Sequence, residues 1–475
     1  MKALINFSKG YLFMMIASIL FPLAVSAQWG PDIRLSAHSI SAALNENAGP
    51  CLAVSGDSVH VVWSDKRTHG YAIYYKHSFD TGLTWNTEIP ITDTFGKATM
   101  PVIAVSGSTV HVVWMDSILD HRASFYKRSL DGGFTWGPKF CLDSNTKFWP
   151  GVTVSGSFVV ATLNKEYVTG NTEVFIMRSM NNGTTWGPEQ RISNANGRSE
   201  DPAIAINGSC VHLVWNDNRN TTMEIYYRRS KDYGVTWGPE TQLTTTDSYS
   251  SMVSLDGPDV DVPFGINTAG NFDVWLRQSS DTGSTFGIAR QLTNFASAEA
   301  YPFLVRDHLN LHMTYYQLNK GAGYLHSADG GATWDSAISL TSGSQAFIAI
   351  TGCVLHVIWS DGIYPAPGAI YYKRNPTGNC KIAPVGIQSQ NNIQQNVRVY
   401  PNPFSKQTTI EISSMENSKN TALIVYDLLG QIIINKSFGD ERKVIISNDK
   451  LNKGVYFYKV IQKDIIIATG KIMAE

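Results

Sequence analysis

Acids, arginines and aromatic residues gather in a few polar stretches of this 475-residue sequence, and their types define the chemistry on offer. Asp65-Lys66-Arg67 and Asp217-Asn218-Arg219 echo one another, Arg122 follows His121, and Arg198 stands just before Glu200 and Asp201. Trp149, Tyr301 and Tyr364 lie in comparable stretches. A guanidinium grips carboxylates or hydroxyls through its planar fork, an acid accepts from hydroxyls, and an indole or phenol face stacks on a sugar ring. The candidate ligand-binding residues are therefore Asp65, Arg67, Arg122, Trp149, Arg198, Glu200, Asp217, Arg219, Tyr301 and Tyr364. No ordered motif among them marks a nucleophile or a general acid, so no catalytic residue is assigned. Asp65 and Asp217 also have a plainer reading: each ends an apolar run, where a carboxylate can close a strand by local hydrogen bonds. Trp149 falls outside the repeat described below and is the better candidate for ligand contact.

The bulk properties narrow the partners. With 38 Lys and Arg against 39 Asp and Glu, the formal net charge is -1, and no basic stripe suggests nucleic acid or an anionic membrane surface. A composition of 43% hydrophobic and 16% charged residues is that of an ordered globular chain. Five scattered cysteines are too few for a disulfide framework. Cys51, Cys210 and Cys353 adjoin strand-like runs and are expected as small buried thiols, and without a Cys/His cluster no metal or cofactor is expected.

The elements that must position the candidates come from a repeat. Ser78–Trp85 (SFDTGLTW), Ser129–Trp136, Ser179–Trp186, Ser230–Trp237, Ser279–Phe286 and Ser327–Trp334 share one pattern, and their last residues are spaced by 51, 50, 51, 49 and 48. An acid with Gly two residues later makes a tight turn, and the closing aromatic packs it down. Around each octapeptide the sequence reads as four strands, as in PAIAINGSC, VHLVWND, MEIYYRRS and GPETQLT from Pro202 to Thr244. A period near fifty residues suits one four-stranded blade. Trp63, Trp114, Trp215 and Trp359 recur in the second strand and are expected in the core.

The octapeptides resemble the Asp box, or BNR repeat, of sialidases and other secreted propellers. The resemblance implies an all-β, seven-bladed β-propeller over residues 28–380. Six blades carry a box, with Asp80, Asp131, Asn181, Asp232, Asp281 and Asp329 as its structural acid or amide. The seventh box has decayed to NPTGN, and its missing fourth strand is matched by Trp29–Ser36 (WGPDIRLS), which aligns with Trp186–Ser193 (WGPEQRIS). The N-terminal strand is thus expected to close the propeller beside residues 369–374.

The flanks concern delivery. Residues 1–27 read as a signal peptide, with Lys2 and Lys9 before an apolar run and Val25-Ser26-Ala27 as the cleavage sequence. Once it is removed, no membrane-spanning segment is expected. Residues 381–396 read as a linker, and residues 397–475 resemble the type A C-terminal sorting domain of type IX secretion through VYPNPF, VYDLLGQ and LNKGVYFYKV. That likeness implies a small β-sandwich, the type IX machinery as a partner, and passage through the periplasm to the cell surface or beyond.

Function follows from the face opposite the boxes, where long loops gather. The reading that needs fewest coincidences is a secreted or cell-surface module binding glycan or protein. Two alternatives stand beside it: a sialidase-like exo-glycosidase and a surface scaffold protein. Resemblance to sialidases implies three arginines on a substrate carboxylate, but Arg34 occupies a repeat position also held by Arg191, Gln242 and Gln291.

Overall fold

A computed structural model describes residues 29–37, 44, 50–378 and 397–474, apart from 68–69, 95, 119–120, 169, 250, 269, 345, 363–367, 413–420, 428–431, 439–441, 449–450, 452 and 463–464. The segment read as a signal peptide, the linker, Tyr364 and Cys380 lie outside the described residues. The chain divides into two compact units, Met1–Cys380 and Lys381–Glu475. Among the described residues the elements of both are strands, and no helix there is long and apolar enough to cross a membrane.

In the first unit the fifty-residue repeat becomes a series of open, antiparallel, mostly four-stranded sheets with the form of propeller blades. The first sheet orders Leu52–Ser55, Ser58–Lys66, Tyr71–Ser78 and Ile89–Pro90. Five more follow with the same order, starting at Thr99–Ser106, Thr146–Ser155, Ser199–Asn207, Ser248–Tyr249 and Glu299–Asp307. The fifth sheet differs: Ser248–Tyr249 and Ser254–Asp256 both pair with Asp259–Thr268, so its first strand is broken in two. The last sheet takes Ala346–Thr351, Val354–Ser360 and Ile370–Asn375, and its fourth strand is Ile33–Arg34.

The N-terminal segment therefore pairs where the sequence places it. Ile33 lies opposite Tyr372 and Arg34 opposite Tyr371. Around them the Gly30 amide donates to the Arg374 carbonyl at 2.8 Å, the Leu35 amide to Ile370 at 2.8 Å, and Lys373 Nζ pairs with Asp32 at 2.8 Å.

First strands of consecutive sheets pack side by side, and Leu52–Ser55 of the first packs on Ala346–Thr351 of the last. Alternating and continuous apolar runs in the second strands fill the space between. Trp63, Trp114 and Trp215 are fully buried and Trp359 nearly so, each worth roughly 2–3 kcal/mol relative to an exposed side chain. These four are core residues, as expected.

One cysteine departs from the sequence reading. Cys51 is a buried free thiol and Cys210 a half-buried one, but Cys353 is exposed and disulfide-bonded rather than a buried thiol. It falls in the turn between two strands, so its side chain points to solvent, where burial alone gives a thiol no role.

The second unit contains a sheet of Val397–Tyr400, Gln407–Ile412 and Lys443–Ser447, and another of Ile432–Ser437, Thr421–Tyr426, Gly454–Gln462 and Ile465–Ala474. Ile410, Ile412, Val444 and Ile446 from the first share one core with Leu423, Val425, Tyr458, Val460 and Ile472 from the second.

Candidate functional site

The first six sheets of the first unit each have two unlike ends. At one end lie the tight turn between the first two strands and the octapeptide after the third. Backbone bonds tie them together, as from Thr81 N to Asp57 O and from Gly132 N to Ser108 O, at 2.8 and 2.7 Å. Inside the octapeptide, Ser78 Oγ donates to Asp80 at 2.7 Å, the Gly82 amide donates to Ser78 Oγ at 2.9 Å, and the Thr84 amide and hydroxyl donate to Asp80 at 2.8 and 2.5 Å. The same bonds recur around Asp131, Asp232, Asp281 and Asp329. Asn181 keeps them too, with its amide donating to Thr185 Oγ1 at 2.9 Å. Donated bonds, from Thr84 and Thr333 first, hold Asp80 and Asp329 down to about 2; Ser129 and then Thr135 do so for Asp131. Such acids organise a turn.

The closing aromatic does more than pack its own turn. Trp136 meets the edge of Tyr75 on the preceding sheet at 5.0 Å between ring centroids, and Trp186 meets Tyr126, Phe286 meets Tyr227 and Trp85 meets Tyr372 in the same way. Tyr75 Oη lies 2.6 Å from His60 Nδ1 and donates to the Gly132 carbonyl at 3.0 Å. A Cβ on Gly133, whose φ is +95°, would fall 1.9 Å from that hydroxyl. Four further sheets have the His–Tyr pair, through His111, His212, His312 and His356. Burial pushes His60, His111 and His356 down to about 3 and His212 to about 4.

The opposite end carries the candidate ligand-binding residues. Arg67 donates to buried Asp65 at 2.8 Å, pairs with Glu88 and stacks on Tyr74 at 3.7 Å. Arg219 repeats this in the fourth sheet, with Asp217 at 2.6 Å, Glu240 at 2.5 Å and the Tyr226 ring at 4.1 Å. Burial raises the Asp217 carboxyl, but bonds from Arg219 and Trp215 outweigh it and the net shift is downward. In the third sheet Arg191 pairs with Glu173 and stacks on Tyr167. These arginines clamp strand ends, and their forks are turned to their own sheet. Arg122 is exposed and lines a depression of about 300 Å³ with Tyr71, Lys97, Met100, Met115 and Asp116.

Trp149, Glu200, Asp201 and Tyr301 lie in first strands. Trp149 is not outside the repeat. It precedes Pro150 as Met100 precedes Pro101, Asp201 precedes Pro202 and Tyr301 precedes Pro302. At each of these four places the register with the second strand slips. A proline has no N–H for the ladder, and a bulge re-aims the residue beside it. Met100, Asp201 and Tyr301 consequently stand at φ of +56°, +53° and +53°, a conformation costing a non-glycine residue on the order of 1 kcal/mol.

Asp201 and Tyr301 meet in a cavity of about 290 Å³, lined also by Asn216, Asp247, Tyr249, Gly265, Asn267, Phe272 and Ala300. It opens where the fifth sheet breaks the repeat. Its second strand carries Gly265 where the fourth has Asn216 and the sixth Tyr316, and its broken first strand contributes Tyr249. Asn216 donates to Asp201 at 3.0 Å and Asn267 to Asp247 at 2.9 Å. The Tyr249 and Phe272 rings meet edge to face at 5.9 Å. Burial, and then the charge of Glu200, pushes Asp201 up to about 7. Glu200, 12% exposed, lies 3.7 Å from the guanidinium of Arg198, which is 50% exposed. Of the candidates, then, Tyr301 lines this cavity, Arg198 and Glu200 pair with each other beside Asp201, and Arg67, Arg122 and Arg219 lie in other places. Asp201, Tyr249 and Gly265 complete the site, and the X-Pro period was the signal that pointed to the first.

The first unit is thus a protein of repeated four-stranded sheets, held by hydrogen-bonded octapeptides at one end and bearing a polar, aromatic-lined cavity at the other. Residues 18–262, just over half of the chain, match the BNR repeat-like domain, and the chain belongs to that family. Residues 398–475 match the secretion system C-terminal sorting domain, so the chain is exported by type IX secretion to the cell surface or beyond. A PL25 ulvan lyase bound to -[GlcA(1-4)Rha3S]- is similar at 11% identity over 73% of this chain and 96% of that one, with a TM-score of 0.52. A second structure of that type of lyase gives 0.51 with the same identity and coverage. The NanB sialidase from Streptococcus pneumoniae gives 0.39 at 11% identity over 74% and 70%. No curated protein matches. At such identities the lyase likeness speaks for the fold alone.

Proposed function

We propose that the chain is a seven-bladed β-propeller, exported to act outside the cell as a carbohydrate-binding module. In this reading residues 28–380 form the propeller, residues 381–396 link it to the rest, and residues 397–475 form a β-sandwich carrying the sorting signal. The blade count is supported by the sheets starting between Leu52 and Ala346 and by the N-terminal strand completing the last. Removing residues 29–36 leaves Ile370–Asn375 as an unpaired edge, and the shortened chain is expected to lose its cooperative unfolding transition by circular dichroism. Unfolding like that of the full chain contradicts the count.

The observation that carries the binding reading is the cavity between Asp201 and Tyr301. It offers aromatic faces with amides and carboxyls in a recess of about 290 Å³, the combination that recognises a sugar ring and its hydroxyls. A broad scaffold contact has no use for such a recess. The arginines suited to grip a sialic acid carboxylate are engaged elsewhere, Arg67 and Arg219 by two acids each. Hydrolysis retains one favourable group: a carboxyl near 7, as at Asp201, can hold a proton for a leaving group. The deciding experiment puts the secreted chain on a glycan array and a panel of chromogenic glycosides. Binding without turnover, lost in Tyr301→Ala, is expected; turnover lost in Asp201→Asn makes it a hydrolase, and an array with no bound glycan removes the reading.

A further inference from the structure

Hydrogen-bond bookkeeping in the cavity is one-sided. Asp201 Oδ2 accepts from Asn216, while Asp201 Oδ1 and Asn216 Oδ1 are both buried without a hydrogen-bond partner among the described residues. Buried polar atoms of this kind are rare unless something else supplies the missing half. Two neighbouring acceptors therefore wait for donors in one recess.

The charge is one-sided as well. Asp201 and Asp247 line the cavity, Glu200 adjoins Asp201, and no Lys, Arg or His among the described residues lines it. The nearby guanidinium of Arg198 is on the exposed rim beside Glu200. An anionic sugar would bring its carboxylate or sulfate against these acids. A hydroxyl supplies one donor, together with lone pairs that the site cannot satisfy. A primary ammonium supplies three donors and the opposite charge, and the faces of Tyr249, Tyr301 and Phe272 suit a cation next to a ring.

We infer that this cavity takes a sugar bearing a free, protonated amino group, with the ammonium on Asp201 Oδ1 and Asn216 Oδ1 and the ring against Tyr249 and Tyr301. The sugar half rests on the carbohydrate reading above; the amine is what this cavity adds. Binding an ammonium there would also draw the raised Asp201 carboxyl back towards its ordinary range. Gly265 keeps the space open, since a Cβ there meets Phe272 and the Tyr249 carbonyl only at 3.6 and 3.7 Å. A longer side chain would fit the backbone and fill the recess.

The experiment is calorimetry on the full secreted chain at pH 7, where Asp201 begins to give up its proton, with a glucosamine oligosaccharide, its N-acetylated counterpart, a uronic acid oligosaccharide and spermidine. The free-amine sugar is expected to bind at least tenfold tighter than the N-acetylated one. Asp201→Asn, whose amide tolerates the left-handed backbone, should erase that preference, and Gly265→Leu should abolish binding with an unchanged unfolding transition. Equal binding of the acetylated sugar, or preference for the uronic acid, overturns the amine and leaves the carbohydrate reading standing. Spermidine binding while every sugar fails overturns the carbohydrate reading, and no binding by any probe overturns both.

Discussion

The two ends of each sheet solve opposite problems with one backbone. At the octapeptide end the same atoms do the same work in successive sheets, and departures come in compensated sets. Where the third sheet lacks the buried His it also lacks the Tyr, with Val160 and Ile176 in their places, and the fifth has Asp261 and Leu276. There Asp261 instead takes Arg306 of the next sheet at 2.9 Å and Gln278 at 2.7 Å. At the bulge end only the frame repeats. Proline sets the backbone, and the residue before it is Met100, Trp149, Asp201 or Tyr301. The lesson is that a repeat can vary freely where a side chain meets solvent or ligand, and only in concert where it meets the next sheet.

Acid should test this contrast most strongly. His60, His111, His212 and His356 sit near 3 to 4 when folded, below their ordinary value. Their contribution is full above pH 6.5 and is lost as pH falls towards 4, by roughly 2 kcal/mol each at pH 4.5. Urea titrations from pH 7 to 4.5 should show the midpoint collapsing, and a flat profile breaks the assignment of these latches. Next in size is Gly133→Ala: its Cβ would press on Tyr75 Oη and its backbone is left-handed, so a loss of about 3 kcal/mol is expected in the same titration. A loss below 1 kcal/mol would mean that the sheets can part without cost.

The bulge end should respond with the opposite sign. Asp201 holds its proton up to about 7, so its favourable contribution is present below the ordinary carboxyl range and disappears as pH rises through 7. Asp201→Asn should therefore stabilise the chain at pH 8, on the order of 2 kcal/mol, while weakening ligand binding. A destabilised variant at pH 8 contradicts the burial of that charge. The smallest effect belongs to Asp131→Ala, which removes the bonds to Ser129 and Thr135 and should cost about 1 kcal/mol. Binding should be unchanged; a binding defect at full stability would erase the division between the ends.

Much of this was legible in the sequence, and the limits are physical. The octapeptides announce themselves because every atom of the turn comes from neighbouring residues, and the Trp29–Ser36 strand because it copies Trp186–Ser193. Arg67 and Arg219 look like ligand residues until Glu88 and Glu240, just before fourth strands some twenty residues on, are seen to occupy them. Prolines at 50, 101, 150, 202 and 302 form a visible period, yet proline ordinarily argues against a strand, which masks the first strands that hold Trp149 and Asp201. Gly265 was the least legible of all, because it acts through the side chain it lacks.

The last sheet draws strands from both ends of the first unit, joining Ser36 Oγ to the Ile370 amide across 334 residues. A linear stack of repeats frays from its terminal members, each of which has one neighbour to lose. Here the terminal segments hold each other, so the sheet that would fray first is the one that can open only by breaking pairing between the two ends. Partial opening from a terminus is thereby suppressed, and loss of structure must begin as a concerted event. For a chain exported to the cell surface or beyond, that leaves few intermediate states in which an internal strand is open to cleavage.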